Sequence, residues 1–394
     1  MTTSRSPLPC NQNLRSFGTT IFAEMSALAN AHSAINLAQG FPDFDGPSEI
    51  IDAAVQALRS GINQYSRSRG DLDLTREISA MVMDRYDLEY DPEREIAITC
   101  GATEGIAAAL LGLLSPGDEV ILFEPFYDSY LGCVALAGAS ARFCTLRFPD
   151  FALDEATLAA CFTNRTRVLV LNSPHNPTGK VFSRSELEMV ARLAERHNVV
   201  VISDEVYEFL TFDGAEHIPF ATLPGMRERT LCLSSNSKTF SLTGWKVGWA
   251  LGPPPLVDSL QAAHQFLTFC AASPLQRAVA AGLRRCRGDY LEQFRREYVA
   301  RRDLMVSGLR EAGFQVAVPS GTYFVLAAFT GLWSGDDRSF AEHLTRSVGV
   351  TPVPPSVFYR ADVDEGRRLL RFAFCKKTET LLAANERLRG LRRR

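Results

Sequence analysis

Four short segments carry residue types that can do chemistry together. Lys238 stands in Ser235 to Trp249, a stretch rich in hydroxyls and glycine that follows an apolar, β-branched run. A lysine there is either a surface cation or an amine held in an enclosed polar pocket. In the second case burial lowers its pKa and readies it for Schiff-base formation with a carbonyl. Asp204 lies just past another apolar run, in Val201-Ile202-Ser203-Asp204-Glu205-Val206-Tyr207. Open α/β sheets place ligands at such strand ends. As structure, Asp204 is a helix N-cap. As chemistry, it is the partner of a protonated pyridine nitrogen, which pyridoxal phosphate needs to act as an electron sink. Tyr207 is either a donor to that cofactor's phenolic oxygen or a core aromatic. Asn176 sits in Asn172-Ser173-Pro174-His175-Asn176-Pro177-Thr178-Gly179-Lys180. Such a Pro/Gly/Asn cluster makes a turn; its two X-Pro steps also fix Asn176 as a rigid donor, with a cis bond open to either step. Finally, Thr99-Cys100-Gly101-Ala102-Thr103-Glu104-Gly105 opens a helix after a strand. Its first N–H groups are either plainly capped or free to bind phosphate. It has neither the Gly-Lys-Ser/Thr of a P-loop nor a G-x-G-x-x-G pattern.

The elements that must position these segments are legible in the hydropathy pattern. Short apolar runs at Ile96–Thr99, Val120–Phe123, Val168–Leu171, Val199–Ile202 and Thr230–Leu233 read as strands buried on both faces of a mostly parallel sheet. Helical patterns at Gly105–Leu114 and Ser185–His197 lie between them, which predicts an α/β fold with helices flanking the sheet. A long amphipathic helix over Asp289–Ala312 leads into apolar runs at Phe314–Val316, Tyr323–Leu326 and Leu369–Phe374. That part reads as a smaller α+β domain. The expected organisation is an N-terminal arm and part of the small domain over 1–45, with a short helix at Thr20–Ala29. A large cofactor-binding domain over 46–288 and a small C-terminal domain over 289–394 follow.

Composition narrows the function classes. The chain has 394 residues, 46% apolar and 22% charged, with a formal charge of −3. This excludes a disordered chain and argues against a nucleic-acid partner. No apolar run approaches the roughly 20 residues of a membrane span, and Met1 to Cys10 lacks the apolar core of a secretory signal. Nine cysteines without a C-x-x-C pair read as free thiols in a reducing cytoplasm. Six histidines without ligand spacing give no metal site.

In this order the four segments resemble the fold-type I, class I aminotransferases that use pyridoxal phosphate. The resemblance covers nearly the whole chain. It is closest to the branch of kynurenine, glutamine and methionine aminotransferases and cysteine-conjugate β-lyases. The branch markers are Asn36 to Phe44, Asn63 to Arg67, Glu124 to Tyr130 and Arg371 to Phe374. The resemblance implies that Lys238 carries the Schiff base, Asp204 pairs with the pyridine nitrogen, and Asn176 and Tyr207 hold the phenolic oxygen. It implies that Phe126 stacks on the cofactor ring and that Ala102, Thr103, Ser235 and Lys246 hold the phosphate. Tyr65 would reach that phosphate from a second subunit, which implies a homodimer. Arg371 would clamp the carboxylate of an amino acid or 2-oxo acid, with Asn176 beside it, and Gly40 would leave room for it. Read without the resemblance, Phe126 is core packing, Tyr65 an exposed loop aromatic and Arg371 one half of a surface ion pair.

The implied reaction is ping-pong amino transfer from an aromatic or sulfur-containing L-amino acid. The same residues would also serve a β/γ-elimination, replacement or cyclising enzyme. Two features keep that alternative in view: Arg67 and Arg69, read as two cations at the mouth of the site, and Pro355, read as reshaping one wall where relatives often carry Gly.

Overall fold

The computed structural model describes residues 11–285 and 288–393; the expectations for Met1 to Cys10, and for Cys10 and Cys286, fall outside them. In chain order the strands are β1 (Ile35–Asn36), β2 (Ile96–Thr99), β3 (Glu119–Glu124), β4 (Ser140–Thr145), β5 (Thr166–Asn172), β6 (Val200–Asp204), β7 (Thr230–Ser235), β8 (Gly248–Leu251), β9 (Gln315–Val316), β10 (Phe324–Ala328), β11 (Val350–Thr351) and β12 (Leu369–Ala373).

Seven of them form one sheet in the order β2-β8-β7-β6-β5-β3-β4. Strands β4, β3, β5, β6 and β7 pair in parallel, and β8 runs antiparallel to both β7 and β2. The five runs expected as strands are all in this sheet. Two further members, β4 and β8, escaped the hydropathy reading. β4 is an edge strand with alternating exposure, and β8 is a short Gly-Trp-Ala-Leu segment. Neither shows the continuous β-branched run of a central parallel strand.

Helices cover the sheet. The helix Arg184–Arg196 illustrates why. Ser183 and Glu186 make a reciprocal capping box, and Leu187, Val190, Ala191, Leu193 and Ala194 are buried. Its apolar stripe packs against Leu169, Leu171, Val199 and Val201 of the sheet region. The cap contributes about 1 kcal/mol, whereas truncating one core leucine such as Leu187 to Ala costs about 2–5 kcal/mol. The stripe therefore outweighs the cap. The helix Gly101–Leu113 begins four residues before its expected start, because its N-cap is Cys100, which makes no side-chain cap bond and leaves no Ser/Thr/Asp signal.

The C-terminal region adds a three-stranded antiparallel sheet, β12-β10-β9. β1 pairs in parallel with β11, so the N-terminal arm is stitched to the chain's last third. Ile21 and Met25 of the helix Ile21–Ala31, with Leu37 and Ala38, share a core with Leu344, Leu370 and Leu381. No helix among the described residues is long and apolar enough to cross a membrane.

Candidate active site

Strands β5, β6 and β7 end side by side, with Asn172 of β5 paired to Asp204 of β6. Lys238 lies in the single helical turn Asn236–Thr239 after β7, and the helix Gly101–Leu113 follows β2. These ends border a cavity of about 390 Å³, lined also by Arg371, Phe324, Phe22 and Gly40 from outside the seven-stranded sheet. The position agrees with the general rule for open α/β sheets.

Asp204 is 4% exposed. Tyr130 Oη donates to its Oδ2 at 2.6 Å, and the Val206 N–H donates to Oδ1 at 3.3 Å. Burial raises its pKa to about 6, with the Tyr130 hydrogen bond opposing the rise. The Asn172 amide joins two parts of the site. Its Nδ2 donates to the Asp204 carbonyl at 2.8 Å, and its Oδ1 accepts from the Asn176 N–H at 2.7 Å. The loop it holds has cis peptides at Ser173-Pro174 and Asn176-Pro177. Tyr207 lines the cavity, and burial pushes its phenol up, so it is a protonated donor.

Lys238 Nζ lies 5.9 Å from the Tyr207 ring centre and 5.7 Å from that of Tyr323. Burial lowers its pKa to about 8; Cys375 opposes the fall and Lys246 adds to it. An amine in that range is an effective proton carrier near neutral pH.

An anion-binding corner lies at the start of the helix Gly101–Leu113. Cys100 provides no side-chain cap, and Gly101, Ala102, Thr103, Ser235 and Lys246 all line the cavity. A Cβ on Gly248 would fall 2.6 Å from the Gly101 carbonyl carbon and 2.7 Å from the Ala102 nitrogen, so β8 approaches this turn only as glycine. A Cβ on Gly101 would lie 3.2 Å from Lys246 Nζ, which puts the ammonium against the helix start. Uncapped N–H groups, the helix dipole and a cation together suit a phosphate.

At the far end Arg371, on β12, is 1% exposed. It donates to Asn176 Oδ1 at 3.1 Å and to the Ala38 carbonyl at 2.8 Å. Its guanidinium carbon lies 4.1 Å from the Phe324 ring centre, 5.0 Å from Phe22 and 5.4 Å from Phe358. Burial lowers its pKa to about 10, so it stays cationic. Its Nε is buried with no partner among the described residues, an orphaned donor of the kind a carboxylate satisfies.

The cavity thus gathers Lys238, Asp204, Tyr207, Asn176, Ala102, Thr103, Ser235, Lys246, Arg371 and Gly40. Other expectations need correction. Phe126 does not line it: the ring is 1% exposed and stacks on Phe143, 5.7 Å away. The next residue, Tyr127, lines the cavity instead. The motif reads Pro125-Phe126-Tyr127, two adjacent aromatics past a strand end, and a one-residue slip exchanges the buried and cavity-facing positions. A Cβ on Gly40 would strike Phe324 at 2.6 Å and Tyr323 at 2.9 Å, so the room it leaves is taken by this chain's own rings. Tyr65, expected at a second subunit's phosphate and not at this one's, needs no correction: it lies outside this chain's own cavity, 83% exposed, with its ring edge-to-face on Phe269 at 5.3 Å. Arg67 and Arg69 do not line it either: Arg67 Nε donates to the Gly70 carbonyl, and Arg69 pairs with Asp258 and the Arg94 carbonyl. Pro355 is buried in a 3-10 turn, away from the cavity wall. Sequence reasoning also passed over Tyr130 and Asn172. Both stood in segments already singled out, at the i+3 position from Tyr127 and at the end of a strand.

The residues present fit pyridoxal phosphate: an anion corner, a buried carboxylate and a lysine of depressed pKa line the same cavity. Comparison with known proteins agrees. Residues 32–388 match the family of class I and II aminotransferases. The chain is 39% identical to the methionine aminotransferase of Escherichia coli, over 98% of this chain and 100% of that one. It is 36% identical to human kynurenine–oxoglutarate transaminase 1, over 93% and 94%. The solved structure of N-succinyldiaminopimelate aminotransferase from Mycobacterium tuberculosis superposes with a TM-score of 0.94 at 47% identity, covering 97% of this chain and all of that one. The chain belongs to the class I and II aminotransferases. It is a pyridoxal-phosphate-dependent enzyme that moves an amino group between an amino acid and a 2-oxo acid. The elimination or cyclising alternative is not favoured.

Proposed function

We propose that this aminotransferase takes L-amino acids with uncharged aromatic or thioether side chains as its donors. The observation that carries this reading is the far end of the cavity. One buried guanidinium, Arg371, is boxed by Phe22, Phe324 and Phe358. Among the described lining residues the other charges, Lys238, Lys246 and Asp204, lie toward the sheet. A substrate carboxylate is held by Arg371 through paired N–H donors, which leaves aromatic surface for the side chain.

Bound pyridoxal phosphate supplies an electron-withdrawing ring for the charge left when an amino acid loses its α proton. This chain's residues do the rest. Ala102, Thr103, Ser235 and Lys246 hold the phosphate, Tyr127 covers the ring, and Asn176 and Tyr207 donate to its phenolic oxygen. Asp204 holds a proton on the ring nitrogen. Lys238 Nζ is the amine through which the chain holds the cofactor covalently. Once free, it takes the α proton and returns it as a general acid. A panel of amino donors tests the specificity. Phenylalanine or methionine should exceed aspartate in kcat/KM by about tenfold or more; aspartate as the best donor would overturn the reading.

The active unit in this reading is a homodimer of the cytoplasm, organised as an arm over 1–45, a large domain over 46–288 and a small one over 289–394. Exposed Tyr65, Phe266, Leu267 and Phe269 offer an apolar surface for a second copy to cover. The seven described cysteines are unpaired, in keeping with a reducing compartment. Tyr65 would then serve the second copy's phosphate corner. Mixing Lys238→Ala and Tyr65→Ala copies should restore activity neither has alone, because one shared site in the mixed dimer is intact. No recovery in a mixed species that sedimentation shows to be dimeric would remove Tyr65 from the site.

A further inference from the structure

Asp204 receives a hydrogen bond that its role in the proposed reaction does not by itself require. Tyr130, in the helix Asp128–Leu136, is buried, and its Oη donates to Asp204 Oδ2 at 2.6 Å. That length is typical of a hydroxyl on an ionised carboxylate. The phenol's pKa is raised well above its usual value by burial, then by the Asp204 charge. It is therefore a permanent donor across the working pH range. The Tyr130 ring also meets Tyr127 edge-to-face, with centres 5.6 Å apart. One turn of one helix thus presents an aromatic to the cavity and a donor to the carboxylate behind it.

The titratable groups facing Asp204 are Tyr130 and Tyr127 on that turn, Lys238 after β7, and Glu205 and Tyr207 on its own segment. Lys238 favours the carboxylate form and Glu205 disfavours it. Against burial, the Tyr130 hydrogen bond is the largest of the effects that stabilise the anion. A protonated Asp204 cannot hold a positive ring nitrogen. The geometry points to Tyr130 as a positioning residue that acts through Asp204, its phenol holding the carboxylate ionised and fixed in orientation. This rests on the reading above, in which Asp204 meets the ring nitrogen.

The test is Tyr130→Phe in the full-length chain, which removes one oxygen and keeps the ring. With 13C-labelled aspartate carboxyls, and Asp204 identified by the signal lost in Asp204→Asn, the titration midpoint of Asp204 should rise by about one to two pH units. At pH 7 the dissociation constant for pyridoxal phosphate should weaken by about tenfold. In an Asp204→Asn background the same change should alter that constant less than about twofold, because the partner is gone. An unmoved midpoint would overturn the inference, as would a tenfold effect that persists without the Asp204 carboxylate. The protonation readout does not involve cofactor. A wild-type chain that fails to take up pyridoxal phosphate would therefore count against the proposed function alone, and the titration would still decide the role of Tyr130.

Discussion

At one end of the cavity Asn172, Asp204, Ser235 and Lys238 sit at, or one turn beyond, the ends of three neighbouring strands. At the other end Arg371 is surrounded by Phe22, Ala38, Asn176, Phe324 and Phe358, each from a separate stretch of the chain. The first end is set by strand register and local hydrogen bonds. The Asn172 side chain bonds both the Asp204 carbonyl and the Asn176 backbone N–H. The second end depends on packing between the arm, β10 and β12, and it keeps a buried donor, Arg371 Nε, with no partner among the described residues. The sheet end is preorganised for a constant group. In the proposed reading the arm end is assembled around a variable one, and substrate preference resides there.

If that division holds, substitutions at the two ends must fail differently. The largest loss is expected for Lys238→Ala. Removing the proton carrier should lower turnover by about 10⁴-fold, measured as single-turnover conversion of an amino acid to its oxo acid. Retained turnover would move the chemistry away from the sheet end. Arg371→Ala comes next. It removes charge-assisted bonds of about 1.5–3 kcal/mol each, so kcat/KM should fall by about 10²-fold. The dissociation constant for pyridoxal phosphate should change by less than about threefold. Equal losses in both quantities would show that the ends are not separable.

The adjacent aromatics give a sharper test of about tenfold. Tyr127→Ala should weaken pyridoxal phosphate binding by about that factor, since an aromatic contact is worth about 0.5–1.5 kcal/mol beyond the area it buries. Phe126→Ala should instead cost about 3–5 kcal/mol of folding stability and leave binding nearly unchanged in the folded fraction. Equilibrium denaturation and cofactor titration separate the two outcomes, and a reversal would restore Phe126 to the ring.

The same contrast explains what was legible in the sequence. The five strands expected from hydropathy announced themselves because burial on both faces demands continuous apolar runs. Lys238, Asp204 and Asn176 were found because each lies beside such a run. Tyr127 and Phe126 were exchanged because both are apolar and adjacent, and side-chain direction past a strand end is not written in hydropathy. Tyr130 was hidden as a core aromatic; its hydroxyl matters only once the helix Asp128–Leu136 is laid against β6. At the arm end, Arg371 was named through resemblance, but its cage was not. Phe22, Phe324 and Phe358 have no common spacing, and they meet only through the contacts joining the arm to the chain's last third. Arg67 and Arg69 are likewise held by partners not visible in hydropathy, Gly70 for one and Asp258 for the other, outside this chain's own cavity.

Two glycines offer the finest comparison, with the smallest effects. Each sits where a methyl group would meet something, and what it meets differs. At Gly248 a Cβ would strike backbone, the Gly101 carbonyl carbon at 2.6 Å and the Ala102 nitrogen at 2.7 Å. Backbone at a helix start cannot yield without moving the phosphate corner. Gly248→Ala should therefore cost about 1–3 kcal/mol in stability and weaken pyridoxal phosphate binding severalfold. At Gly40 the Cβ would strike ring atoms of Phe324 and Tyr323, between 2.6 and 2.9 Å. A ring can tilt, but the Phe324 face lies against Arg371. Gly40→Ala should thus raise KM for the amino acid severalfold and leave cofactor affinity unchanged. Steady-state kinetics and cofactor titration on the two variants place each glycine at its own end. If Gly40→Ala weakened the cofactor instead, the arm would have to be counted as part of the sheet end, and the division drawn between the two would fall.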